Sequence, residues 1–300
     1  MPFIAFSIKA PLATLLPLTL INTSVESATK ISVSQRYLEE LSAVELGNYI
    51  DKAVSADISG DSTEALSGDG PVIIFSPHFG SFAQGAIWIA RNLRRHAEIG
   101  FFYNPPETNP YSPTMTRLLE RAEPRAVPIF NDRRGLLRAV RLLREGRTIV
   151  IMPDLFQRSD STILVPFYGH LVRAMPGIAY LARKVGATLI PAYCEWTGLH
   201  RFSGIIDGPI SFDESEDFER DLIRLTSAAY ASMERRFDVN LEQWLLLREV
   251  QGWWTGIPEK PNRATLSGII SDCAAIRDKP EKLVADIQQL VTIMNFLPES

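Results

Sequence analysis

His78 is the residue of this chain best placed to move a proton. It lies in Phe75-Ser76-Pro77-His78-Phe79-Gly80-Ser81-Phe82-Ala83-Gln84, directly after the apolar run Val72-Ile73-Ile74. A short continuous apolar run of this kind is a strand buried on both faces. The carboxyl end of such a strand is where an open α/β sheet presents its reactive groups. An imidazole titrates near neutrality, so it can take a proton from a hydroxyl or an amine. Gly80 lets the backbone pass close to a substrate. Amides from Gly80 to Phe82, at the start of the helix that follows, can steady a developing oxyanion. The plainer alternative is a histidine that satisfies backbone groups at a strand end.

A second candidate feature is basic. Arg133, Arg134, Arg138, Arg141, Arg144 and Arg147 stud a helix around Leu136, Leu137, Val140, Leu142 and Leu143. With Arg91, Arg94 and Arg95 they could form a basic face that docks the acidic surface of a carrier protein or a coenzyme phosphate. The alternative is a solvated helix face with local pairs such as Arg141 and Glu145. His96 and His200 belong to no motif and are expected at the surface, as is His170. Cys194 and Cys273 lie too far apart in sequence for a metal or redox spacing. No phosphate-binding Gly-rich loop, metal-ligand spacing or nucleophile elbow is found, so no cofactor is expected.

The elements that must position His78 follow from periodicity. Strands at 72–76, 98–104, 126–130, 148–154, 188–196 and 200–210 alternate with helices at 81–96, 110–122, 134–146 and 176–186. A long helix at 218–239 follows the last strand. Strands joined by helices of ten or so residues require crossover connections and a mainly parallel sheet. Gly146 and Gly186 stand where helices should stop. Residues 34–54 read as an amphipathic helix whose apolar stripe drifts near Gly47, where a bend is expected. The polar stretch 55–70 reads as a loop. The fold class is therefore α/β, a central, mostly parallel mixed sheet flanked by helices. Residues 1–258 form the main domain, with 1–54 its helical N-terminal part, and residues 259–300 form a helical appendage.

The bulk numbers agree with one such domain. The chain has 300 residues, 46% hydrophobic and 22% charged, with a formal net charge of −4. That balance gives no global field for nucleic acid. The N-terminal stretch is apolar, but its uninterrupted part after Lys9 is short and holds Pro11 and Pro17, whereas a spanning helix needs about 20 residues. It is expected to pack on the domain or to rest on the inner face of a membrane. The protein is expected in the cytoplasm.

The stretch Ser76-Pro77-His78-Phe79-Gly80-Ser81-Phe82-Ala83-Gln84 resembles the histidine motif of the bacterial lipid A biosynthesis (lauroyl/myristoyl) acyltransferases, a branch of the lysophospholipid acyltransferase superfamily. Further segments follow in the same order. They are Gly100-Phe101-Phe102-Tyr103-Asn104-Pro105, the helix and strand ending in Pro153-Asp154, Val165-Pro166-Phe167-Tyr168-Gly169, and Gln243-Trp244 with the basic-aromatic residues after it. The matches cover roughly residues 70–255. The resemblance implies an acyl thioester donor on acyl carrier protein or coenzyme A, and a small-molecule or lipid acceptor. It implies that His78 is a general base and that Phe167 lies near the acyl or acceptor pocket.

The departures are as informative as the matches. The family pairs its histidine with an acid five residues on; here that position is Ala83. Asn104 stands where the family commonly has arginine, and Ser81-Phe82 replaces Asn-Trp. A replacement partner for the imidazole is sought in Gln84, Glu107 or Asp154, the last on the same sheet edge as His78. The leading expectation is an acyltransferase, with Gly80, Ser81, Gln84, Asn104, Asp154 and Phe167 in supporting or substrate-binding roles and Arg133, Arg134 and Arg138 docking the donor. A soluble acceptor in specialised metabolism fits the acidic charge and the weak N-terminal anchor. Two alternatives stay open: a non-catalytic protein that binds an acyl group or its carrier, and a thioesterase in which His78 activates water.

Overall fold

The computed structural model describes residues 18–93, 98–155, 161–249, 254–258, 263–274 and 281–296. The sequence-based expectations for residues 1–17 and for Arg94, Arg95 and His96 lie outside them. Among the described residues no helix is long and apolar enough to cross a membrane.

Two sheets organise the fold. The larger has seven strands in the order β1-β9-β8-β2-β5-β3-β4. They are β1 (Val54–Ile58), β2 (Val72–Phe75), β3 (Ile99–Tyr103), β4 (Ala126–Phe130), β5 (Thr148–Ile151), β8 (Thr188–Gly198) and β9 (Arg201–Ile206). β8 and β9 pair antiparallel, while every other neighbouring pair is parallel. Helices α4 (Phe82–Asn92), α5 (Ser112–Ala122), α6 (Arg133–Arg144) and α7 (Gly177–Val185) follow strands, and α8 (Phe218–Phe237) comes after β9. β2 shows why the sheet is central. Ile73 and Phe75 enter one hydrophobic core and Val72 and Ile74 the other, all at most 1% exposed. A strand with apolar side chains on both faces is stable only where helices cover both.

The glycine stops behave as the sequence suggested. Gly146 and Gly186 take positive φ just beyond α6 and α7, a conformation costly for residues with a Cβ. Three expectations need correction. The N-terminal helix breaks not at Gly47 but before Ser42, between α1 (Leu18–Glu40) and α2 (Ala43–Ala53). Ser42 and Glu45 form a reciprocal capping box that starts a new helix there. Gly47 instead lies inside α2, pressed against the Arg91 guanidinium. The stretch expected as loop contains β1 and α3 (Gly60–Ser67), the latter capped by Ser59. β1 alternates Val54, Ala56 and Ile58 with Ser55 and Asp57, but it is only five residues long and leads into a Ser-, Gly- and Asp-rich stretch that hides it in composition. Finally, β6 (Ile163–Phe167) and β7 (His170–Ala174) form a hairpin that was not anticipated. Tyr168 and Gly169 both take positive φ, as a tight two-residue turn requires.

β10 (Trp254–Pro258) extends this second sheet by pairing with β7. The helices α9 (Arg263–Ala274) and α10 (Glu281–Phe296) lie beyond it. Leu266 and Leu290 join Leu164 and Leu171 of the hairpin in a small separate core. Gln289 completes the edge of β6: its side-chain oxygen accepts from the Leu164 amide at 2.9 Å, and its nitrogen donates to the Thr162 carbonyl at 3.4 Å.

Candidate active site

β2 and β5 are adjacent and parallel, with Phe75 opposite Ile151. The pairing runs one step further, through the Ser76 amide to the Ile151 carbonyl. His78 and Asp154 each lie three residues beyond that last matched pair, so the register itself brings them together. His78 Nδ1 is 2.8 Å from Asp154 Oδ1, and the His78 amide donates to Oδ2 at 2.9 Å. The Trp244 indole N–H also donates to Oδ2, at 3.0 Å. Thus both carboxylate oxygens are occupied, as a fully buried charge demands. Burial alone would push the Asp154 carboxyl up. The charge of His78 and the hydrogen bonds from its ring, from Trp244 and from the His78 amide outweigh that and hold it below its ordinary range. An ionised carboxylate only accepts, so Nδ1 carries a proton, and in the neutral ring the lone pair is then on Nε2.

The backbone around His78 is tightly held. Gly80 has φ +55°, and a Cβ there would collide with the Cys194 carbonyl. Its amide donates to the Gln243 carbonyl at 2.9 Å, and the Ser81 amide to the Cys194 carbonyl at 2.6 Å. The Leu245 amide donates to the His78 carbonyl at 2.9 Å, and Gln243 clasps the Trp196 backbone with both ends of its side chain. The Tyr230 hydroxyl donates to the Pro153 carbonyl, next to Asp154. These bonds correct one expectation: the Gly80 and Ser81 amides are engaged within the protein and are not available to an oxyanion. The first-turn amides of α4, from Phe82 to Gln84, have no acceptor inside the helix.

A cavity of about 620 Å³ opens beside His78. Its inner wall is apolar and includes Ala83 and Ala86 of α4, Phe101 of β3, Leu118 of α5 and Val150 of β5, all buried. Its outer part is polar. There α1 contributes Gln35, Arg36 and Glu39, and Asn104, Asn109 and Asn131 lie on the side of β3 and β4. The division suits a ligand with an apolar tail and a polar head.

The other sequence candidates distribute as follows. Gln84 is fully buried and donates to the Ser34 hydroxyl of α1 at 3.1 Å, so it braces helices rather than the imidazole. Ser81 is buried, with no hydrogen-bond partner for its hydroxyl among the described residues. Glu107 is exposed and does not line the cavity. Asn104 does line it, and accepts from Asn131 at 3.2 Å. Phe167 does not: it is fully buried behind the site, edge-on to Trp244 and Tyr230. Arg133, Arg134 and Arg138 are exposed, and Arg138 also donates to the Pro128 carbonyl. Arg91 does not extend that basic face, because it pairs with Asp51 at 2.7 Å and reaches the Ala122 carbonyl. His200 hydrogen-bonds the Tyr49 hydroxyl at 3.0 Å. Sequence reasoning gave Trp244 no role at the site and did not place α1 at the cavity.

A half-buried histidine held by a fully buried carboxylate beside an apolar cavity, at the strand ends of a mostly parallel sheet, is equipment for a group transfer that needs a base. Residues 20–250 match the family model described as bacterial lipid A biosynthesis acyltransferase, and the chain belongs to that family. Acyl transfer is therefore its general reaction class. No curated protein matches the chain.

Proposed function

We propose that this acyltransferase moves an acyl group from a thioester, on acyl carrier protein or coenzyme A, to a hydroxyl or amine, with His78 as general base. The observation that carries the proposal is the 2.8 Å pair of His78 and Asp154 beside the apolar cavity. Nε2 takes the proton from the acceptor as its oxygen or nitrogen attacks the thioester carbonyl carbon. The tetrahedral intermediate then collapses, the carbon–sulfur bond breaks, and the imidazolium returns the proton to the departing sulfur. Asp154 fixes the tautomer and stabilises the imidazolium. The first-turn amides of α4 face the developing oxyanion.

Asp154 offers the carboxylate that Ala83 cannot, which supports the catalytic reading over a non-catalytic one. The exposed Arg133, Arg134 and Arg138 begin α6 just after Asn131 at the cavity, and we assign them to docking an acidic carrier or the coenzyme phosphate. The acceptor on this reading is a small molecule or lipid at the polar outer part, in specialised metabolism or lipid synthesis on the cytoplasmic side. The helices α9 and α10 act as a structural appendage to the β6–β7 hairpin.

The test is to incubate the purified chain with acyl-carrier or acyl-coenzyme A thioesters and a panel of amines and alcohols. Acylated product that disappears in His78→Ala is expected. Release of free acid without acceptor would make the protein a thioesterase. Binding of acyl carrier with no donor consumed would make it a binding protein.

A further inference from the structure

Ala83 and Ala86 share a face of α4, three residues apart, and both border the cavity while being at most 8% exposed. Facing them across the cavity are Met115, Leu118 and Leu119 of α5, spaced so that they too share one helical face. α4 starts just past His78, so Ala86 lies nearly one turn, roughly 4.5 Å, further along the helix than Ala83. Anything larger than alanine at either position would project into the space between α4 and α5. That space is an apolar path from His78 for a straight acyl chain whose carbonyl sits at the imidazole.

We propose that Ala83 and Ala86 determine the length of acyl chain the protein accepts, Ala83 acting nearer the reacting carbonyl and Ala86 a turn deeper. The proposal rests on the acyl-transfer function above. It also gives a physical role to the missing acid. The position that holds a carboxylate in the resembling motif is here part of the apolar wall, and the carboxylate comes from β5 instead.

The experiment titrates the full chain with straight-chain S-alkyl pantetheine thioethers from hexyl to hexadecyl, by calorimetry, and measures turnover with the matching thioesters. For the unmodified protein, affinity should rise with each methylene to a limiting length and then level. Ala86→Leu should move that limit to shorter chains, and Ala83→Leu should move it further still. Chains beyond the new limit should lose about tenfold or more. Met115→Ala should move the limit to longer chains, and this arm decides the matter if the leucine variants do not fold. An unchanged limit in variants that melt like the unmodified protein overturns the proposal, as does affinity independent of chain length. Shifted limits without turnover would sink the transfer function and leave the length assignment standing. Turnover with unmoved limits would do the reverse.

Discussion

The two sides of His78 are built from opposite materials. On the sheet side, the end of β5 presents Asp154, fully buried and met by three donors: the His78 ring, the His78 amide and the Trp244 indole. On the helix side, the first turn of α4 presents Ala83 to an apolar cavity wall. A buried carboxylate is tolerable where donors surround it and expensive where they do not. The comparison teaches that the carboxylate partner of His78 comes from the end of β5 and the apolar wall from α4, so that position 83 is free to be apolar.

Substitutions on each side should break this contrast in graded ways. The largest effect belongs to His78→Ala, which should lower acyl transfer by about 10⁴-fold, toward the upper end for a general base, while thioether binding in the cavity persists. Steady-state rates and calorimetry on the same protein check this. Next comes Ala83→Glu, which puts a carboxyl among apolar side chains. An unpaired buried polar group costs about 1–3 kcal/mol. Long-chain turnover should therefore fall by about tenfold to a hundredfold, with short-chain turnover less affected. A gain in activity would mean that the histidine prefers an acid on the helix side.

Trp244→Phe keeps the aromatic packing and removes one donor to Asp154. Turnover should fall by about tenfold, the cost of losing a hydrogen bond to a charged group. Acid stability reports the same bond. Asp154 is ionised more readily in the folded protein than its ordinary value of 3.8 implies. Its contribution is thus present above about pH 4 and is lost as the pH falls through the lowered value. Losing the indole donor raises the folded-state value, so the variant should unfold at higher pH in an acid titration followed by circular dichroism. The smallest effect is at Cys194, beneath the Gly80 loop. Burial pushes its thiol up to about 12, so iodoacetamide should leave it unmodified in the native protein near neutral pH.

How far the sequence reveals this site depends on whether each part is local. The run Val72–Phe75 shows a strand buried on both faces, and the residue types place His78 at its end. Asp154 is visible as a strand-end acid on the same edge. That Asp154 reaches the imidazole, and Gln84 and Glu107 do not, depends on the pairing of Phe75 with Ile151. No single segment contains that register. Trp244 is further from view, because its bond to Asp154 spans 90 residues of sequence and its apolar neighbours give it the look of a core residue. The Gly80 and Ser81 amides were misjudged for the same reason: their acceptors, Gln243 and Cys194, come from distant segments. The β6–β7 hairpin escaped because its turn, Tyr168-Gly169, lacks the usual Asn-Gly or Asp-Gly signature.

The most direct test of the His78–Asp154 pair is Asp154→Asn in single turnover, with a straight-chain acyl-pantetheine thioester as donor and an acceptor found active with the unmodified protein. The paired-base account predicts transfer slowed by about 10²- to 10⁴-fold with thioether affinity unchanged. Transfer at the unmodified protein's rate would contradict it.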